Sequence, residues 1–247
     1  DLRGKVIRIH PEPDGSYTIP EGNLFPPGTP KTRPEIYTMG HRNPYRIAVD
    51  KRTGVLYWGD VGPDAQVDSA DRGPAGQDEV NRAPRAGNYG WPYFVGDNKA
   101  YIKLDYATMT PGLKFDPEHP KNDSPNNTGL NELPPAQKAF IWYPYAASSE
   151  FPLVGNGGRA AMAGPVFHRE DFANVARPFP QWYDGKLLIY EWMRGWIMAV
   201  TMDSAGNYVD MERFMPSHKF SNPVGMEFGP NGDLYMLEYG TAWFQGN

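Results

Sequence analysis

"NPYRIAVDKRTGVLYWGDVG" (residues 43–62) recurs near the other end of the chain as "NPVGMEFGPNGDLYMLEYG" (222–240), one residue shorter. Both copies run Asn-Pro, an alternating apolar segment, a Gly turn, Leu-Tyr, a second apolar segment, a carboxylate and a Gly. Alternation with period two puts successive side chains on opposite faces of a strand, and two such segments joined by a Gly turn read as a β-hairpin. A second pair, "GKVIRIHPEPDGSY" (4–17) and "GWIMAVTMDSAGNY" (195–208), shares Gly, an alternating strand, an Asp-containing turn, Gly and Tyr. In both halves the hairpin follows this segment at a similar distance. A unit repeated in one order marks a repeat architecture, and antiparallel strands joined by Gly turns predict propeller blades; the competing reading is two unrelated hairpins in a β-sandwich.

Composition points the same way. The chain holds 27 glycines and 26 prolines, with 14% aromatic residues, which favours many short strands over long helices. At 247 residues it is long enough to bury a core as one all-β domain. Two stretches, near 64–88 and 105–139, are rich in Pro, Asn, Asp and Gly and read as loop insertions; across 110–136 no apolar period persists, which predicts a loop. The formal net charge of -5 and pI near 5.6 give no basic field, so no nucleic-acid partner is expected. No run of 18 apolar residues predicts a membrane span. Without cysteine there is no disulfide, thiolate metal site or cysteine nucleophile. The opening "DLRGKVIRIH" lacks an initiator Met and enters a strand-like alternation at once, so a processed chain or a fragment of a longer one is expected.

Two clusters carry candidate chemistry. Asp60, Asp64, Asp68, Asp71, Asp78 and Glu79 fall within 20 residues. Such a cluster repels itself unless a hard cation or solvent screens it, and Ca²⁺ takes six to eight oxygens from carboxylates and main-chain carbonyls. Gly62 and Pro63 permit carbonyls to turn inward, and the alternative is a solvated acidic loop. The second cluster is "GHRNPYR" (40–46), where His41 and Arg42 ride a strand entrance set by Pro44. Arg42 offers a planar fork for carboxylates, of a ligand or of a neighbouring blade.

"GHRNPYRIAVD...GVLYWGDVGPD...DEVNRAPRAGNYGWPYFVGD", an ordered set of motifs over 40–92, resembles the glucose/sorbosone dehydrogenase family of soluble quinoprotein sugar dehydrogenases. "GGRAAMAGPVFHRE...YDGKLLIYEWMRGWIMAV" and "FSNPVGMEFGPNGDLYMLEYG" are similar to its later blades. The resemblance implies a six-bladed β-propeller, of which this chain would cover about four blades in a single domain, whole or partial. It further implies pyrroloquinoline quinone (PQQ) and Ca²⁺, oxidation of the anomeric carbon of an aldose, and quinone contacts from Arg42 and Asn43. The Gly62-Pro63 carbonyls would hold the Ca²⁺, with Asp60, Asp64, Asp78 and Glu79 as further metal candidates. Where the family places a later-strand Lys, this chain reads "YEWMRGW", with Arg194 as the replacement; where it places two arginines, the chain reads "FSNPVG". The family's general base is an earlier His; only His10 precedes His41 here, and no base is assigned. "DNKAY", "NDSPNNTGL", "ELPPAQKAFIWYPY" and "ERFMPS" look closest to the branch found in multidomain bacterial proteins, often joined to cytochrome c. The expected partners are a sugar or polysaccharide and cytochrome c or another electron acceptor, in an extracellular or periplasmic location.

Trp91, Tyr93, Trp142, Tyr143, Tyr145, Trp182, Trp192 and Trp196 offer flat faces for sugar rings or fill blade interfaces. Glu150, Glu191 and Glu238 are the carboxylates a glycoside hydrolase would need. Beside the dehydrogenase therefore stand a non-catalytic, calcium-stabilised carbohydrate-binding propeller and a polysaccharide hydrolase.

Overall fold

The computed structural model describes residues 1–241, and the fold is all-β, of β-propeller type. In chain order the strands are β1 (Lys5–Ile7), β2 (His10–Pro11), β3 (Tyr17–Thr18), β4 (Ile36–Met39), β5 (Pro44–Val49), β6 (Leu56–Asp60), β7 (Asp78–Ala83), β8 (Gly87–Asn88), β9 (Phe94–Val95) and β10 (Lys99–Ala100). They continue with β11 (Ile102–Asp105), β12 (Thr110–Lys114), β13 (Ile141–Tyr143), β14 (Ala161–Val166), β15 (Leu187–Glu191), β16 (Trp196–Met202), β17 (Tyr208–Phe214), β18 (Pro223–Phe228) and β19 (Leu234–Glu238). The residues fall into two compact units: one of 1–43, 62–76 and 83–139, the other of 44–61, 77–82 and 140 onward.

The second unit holds two four-stranded sheets, ordered β13-β7-β6-β5 and β14-β15-β16-β17, and the hairpin β18-β19. The pairs β13-β7, β6-β5, β14-β15, β15-β16, β16-β17 and β18-β19 are antiparallel. The period-two pattern explains the packing. Leu187 and Ile189 of β15, with Trp196, Met198 and Val200 of β16, enter one core, together with Tyr57, Val80, Ile141 and Ala161. Tyr190 and Ile197, from the opposite faces of the same strands, enter a second core with Met162, Trp192 and Phe220. Strand β15 is buried along its whole length because apolar neighbours cover both its faces.

The internal repeat is borne out in register. In β5-β6 Pro44 pairs with Asp60, and in β18-β19 Pro223 pairs with Glu238, so each copy sets the proline after its Asn opposite its carboxylate. The second repeat preserves its turn. Glu12 N–H donates to Ser16 and Gly15 N–H to Glu12, as Asp203 N–H donates to Asn207 and Gly206 N–H to Asp203. Only the 195–208 copy extends into a full hairpin, β16-β17; in the other, β1 pairs with β4 and the turn closes the short β2-β3 ladder.

Two expected loops are corrected. The insertion expected over 64–88 is interrupted by β7, a largely buried strand. In the stretch expected to be a loop from 110 onward, Thr110–Lys114 pairs with Ile102–Asp105 as an exposed ladder in the first unit. That unit also carries the β1-β4-β8 sheet and the two-residue ladder β9-β10.

Candidate functional site

The β5-β6 hairpin forms because Pro44 starts an edge strand with its φ already fixed and a tight turn closes the other end. In that turn Asp50 N–H donates to Val55, Gly54 N–H donates to Asp50, and Gly54 takes φ +72°, which a Cβ would strain. Thr53 Oγ1 donates to Asp50 Oδ2 at 2.6 Å, and His168 Nε2 lies 2.8 Å from Asp50 Oδ1. Burial works against ionisation of Asp50, yet hydrogen bonds from Thr53, the Arg52 N–H and His168 hold its carboxyl below the ordinary range. Arg52 grips Glu170 and Asp171 at 2.7 Å each, so the turn end is moored to the 168–171 segment.

With the turn fixed, the Pro44–Asp60 pairing brings the open ends of the hairpin together. Arg42 and Asn43, both exposed, leave one strand where Gly62, buried, and Pro63, half-buried, leave the other. Arg42 sits over Trp91, its guanidinium carbon 5.9 Å from the ring centroid, and Trp91 and Pro63 both line a cleft of about 750 Å³. The neighbouring His41 is only 3% exposed; its Nε2 lies 2.9 Å from Thr38 Oγ1 and its ring stacks on Tyr89. A Cβ at Gly4 would stand 2.4 Å from the His41 carbonyl, so the chain passes too close there for any other residue. His41 is thus part of the scaffold beneath the Arg-Asn pair.

The acidic cluster is divided. Asp64, Asp68 and Asp71 are exposed on the loop, where Asp68 accepts the Ala75 N–H at 2.7 Å. Asp60 ends β6 and is buried. Asp78 and Glu79 lie on β7 rather than on the expected acidic loop, and their oxygens are engaged there. Asp78 pairs with Arg159 at 3.1 Å, both side chains essentially out of water, and accepts the Ala161 N–H at 2.9 Å; Glu79 accepts from Asn81 Nδ2 at 2.9 Å. Among the described residues no three His, Cys, Asp or Glu side chains gather as a metal cluster. A cation at this end of the hairpin would have to draw on main-chain carbonyls.

Arg194, expected to grip an anionic cofactor, is otherwise occupied. Its five N–H donors meet the carbonyls of Gly158, Val154, Gly155, Pro144 and Gly157 at 2.8–3.1 Å, and its guanidinium lies 4.7 Å from the Tyr143 centroid. It fastens the 144–158 segment. Beside it Glu191 is fully buried and accepts the N–H groups of Ala160 and Arg194; burial pushes its carboxyl up to about 7. Burial, followed by the charges of Glu191 and Asp78, raises the Tyr143 phenol well above its ordinary value. This buried set, with Arg159 at its centre, escaped the sequence reading. Its one signal was an arginine placed directly before an apolar alternation in "GGRAAMAG".

The carboxylates of a hydrolase do not assemble. Glu191 is sealed from solvent, Glu150 is exposed, and Glu238 is exposed and accepts the Ser221 N–H at 2.5 Å. Most of the aromatic candidates pack inside the second unit: Tyr143, Trp192 and Trp196 are buried, Trp142 is half-buried against the core, and Tyr145 lies 4.1 Å under Arg159. Trp182 is exposed and donates to Glu212. Trp91 and Tyr93 face the cleft beside Pro63.

Comparison with known proteins identifies the family. The family model described as glucose / sorbosone dehydrogenase matches residues 1–125, which contain the whole Arg-Asn-Pro and Gly-Pro segment. The quinoprotein glucose dehydrogenase B of Acinetobacter calcoaceticus is 28% identical over 267 residues, covering 95% of this chain and 47% of that protein. The aldose sugar dehydrogenase of Escherichia coli (strain K12) is 31% identical over 236 residues, covering 96% and 48%. A solved structure of a glucose dehydrogenase superposes with a TM-score of 0.54 at 21% identity, over 96% of this chain and 51% of that one, a likeness of fold. The chain spans about half the length of the curated relatives it matches.

Proposed function

Because the chain belongs to the glucose/sorbosone dehydrogenase family, we propose that it contributes the quinone- and calcium-binding part of a sugar dehydrogenase that oxidises the anomeric carbon of an aldose. One observation supports the reading: Pro44 pairs with Asp60, and the exposed Arg42-Asn43 pair directly precedes the one paired strand while Gly62-Pro63 directly follows the other. The donor set suits an anionic, planar cofactor at this end. Arg42 brings a fixed positive fork, Asn43 an amide that both donates and accepts, and Trp91 a flat neighbour. The Gly62 and Pro63 carbonyls are the hard oxygen donors that Ca²⁺ prefers. When bound, PQQ supplies the two-electron acceptor and Ca²⁺ the Lewis acid. The residues of this chain then have three tasks: Arg42 neutralises and orients the cofactor, Asn43 fixes its rotation, and the scaffold of His41, Thr38 and Tyr89 keeps both from moving. Cytochrome c or another acceptor takes the electrons onward, in an extracellular or periplasmic setting.

A second reading, a carbohydrate-binding propeller stabilised by calcium and without redox activity, is favoured by the commitment of all five Arg194 donors to main-chain carbonyls. Dye reduction with glucose and other aldoses separates the two. The dehydrogenase gives turnover only when both PQQ and Ca²⁺ are supplied; sugar binding with no turnover in their presence selects the second reading.

A further inference from the structure

We propose that a basic cleft of the first unit, between the entrance to β4 and the 122–133 segment, binds a small organic phosphate. The cleft measures about 510 Å³ and lies wholly in that unit. Lys5, Lys31 and Arg33 line it. Lys5 pairs with Met39 across the β1-β4 ladder, and residues paired in this way share a face. Arg33 is placed by the turn that opens β4, where the Ile36 N–H donates to its carbonyl at 3.2 Å. Thr32 Oγ1 donates to the Thr29 carbonyl at 2.8 Å, and Lys31 just before it holds φ +61°, the left-handed region that ordinarily selects glycine. The opposite wall is tied internally. Asn127 Nδ2 donates to the carbonyls of Asn122 and Leu130 at 3.0 and 2.8 Å, and its Oδ1 accepts the Gly129 N–H at 2.8 Å.

The charges on this cleft do not cancel. Asp1 and Arg3, which also line it, offset each other, with Arg3 Nε 3.0 Å from Asp1 Oδ2. The acids nearby are engaged elsewhere: Asp123 with Lys103 at 2.7 Å, Glu132 with Lys121 at 2.8 Å, and the buried Glu35 with the Tyr17 hydroxyl at 3.0 Å. Among the described residues Lys5, Lys31 and Arg33 form no ion pair. The Lys5 ammonium donates to the Arg3 carbonyl at 2.9 Å, and burial, then the charge of Arg3, lowers its pKa, as a positive local field requires. A phosphate monoester answers this set with a charge of about −2 and three acceptor oxygens. Arg33 offers it a planar fork and the two lysines offer point charges. The volume falls within the roughly 300–1,000 Å³ of ligand pockets and exceeds the need of a bare phosphate, leaving room for an organic body against Met39, Leu130 and Leu133. None of Arg42, Asn43, Gly62 and Pro63 lines the cleft, so the inference stands apart from the dehydrogenase reading.

Calorimetric titration of the protein, without calcium or quinone, tests it with phenyl phosphate against inorganic phosphate, benzoate and phenol. Phenyl phosphate is expected to bind saturably at one site, about tenfold more tightly than any of the other three. The double variant Lys31→Gln/Arg33→Gln is expected to weaken that binding by about tenfold or more, while Lys114→Gln, which removes an exposed charge on β12 outside the cleft, leaves it within about twofold. The inference is overturned if phenyl phosphate does not saturate, if benzoate binds as tightly, if the double variant binds as wild type does, or if Lys114→Gln weakens binding equally. Should the double variant fail to fold, Lys31→Gln at its exposed position decides alone, with a loss of about threefold or more expected and an unchanged affinity overturning the inference.

Discussion

Asp78 and Arg159 show why buried charge escapes a reading made from composition. Taken alone, "DEVN" continues an acidic run and looks solvated; in the fold Asp78 loses all contact with water because Arg159 and the Ala161 N–H replace it. A buried ion pair of this kind gives little net stability when compared with apolar packing, but it fixes which strands may meet. Glu191 is the titrating member of the same region. Its carboxyl is held protonated up to about 7, against an ordinary glutamate value of 4.5, first by burial and then by the nearby charge of Asp78, which outweigh two backbone donors. The unfolded chain releases this proton at a lower pH than the folded one, so stability falls as pH rises from about 4.5 to 7 and is level above that. The penalty is roughly 3 kcal/mol when complete. Urea unfolding of wild type and Glu191→Gln across this window is expected to show a stability difference that drifts with pH by an amount of this order; a constant offset would show that Glu191 does not titrate there.

At the scale of elements, what was legible was what the local chain dictates. The hairpins β5-β6 and β18-β19 announce themselves through a leading proline, strict alternation and a glycine turn, and both formed in the same register. Strand β7 was missed because Asp78 and Arg82 find partners far along the chain, at Arg159, Ala161 and Ala205, and β12 because "TPGLK" carries a proline and a glycine that ordinarily break a strand. Two glycines of the β5-β6 hairpin separate local from tertiary demand. Gly54 has open space around it and only its φ of +72° to protect, so Gly54→Ala is expected to cost about 1–2 kcal/mol. Gly59 is different. A Cβ there would stand 2.0 Å from the Ala161 carbonyl of β14, backbone against backbone, so the two four-stranded sheets must part. Gly59→Ala is expected to cost about 3 kcal/mol or more by thermal unfolding. An equal or smaller effect than Gly54→Ala would mean that the sheets are not packed this closely.

For the molecule as a whole, the residues that recur in the family's motif and those that depart from it fare differently in the fold. Arg42, Asn43, Gly62 and Pro63 stand at one end of a hairpin whose far end is moored by Asp50, His168 and Arg52. Arg194 instead has become part of the framework, and no sequence motif could reveal that, because its partners are carbonyls whose positions only the folded 144–158 segment defines. The central claim is that the two ends of residues 40–65 form one binding site. The most direct test is a titration of PQQ into the calcium-loaded protein, followed by absorbance, for wild type, Arg42→Ala and Arg194→Ala. Saturable binding that Arg42→Ala weakens by about tenfold or more, and that Arg194→Ala leaves unchanged in whatever fraction stays folded, is the predicted result. Absence of saturable binding by the wild type, or binding indifferent to Arg42, would contradict the account.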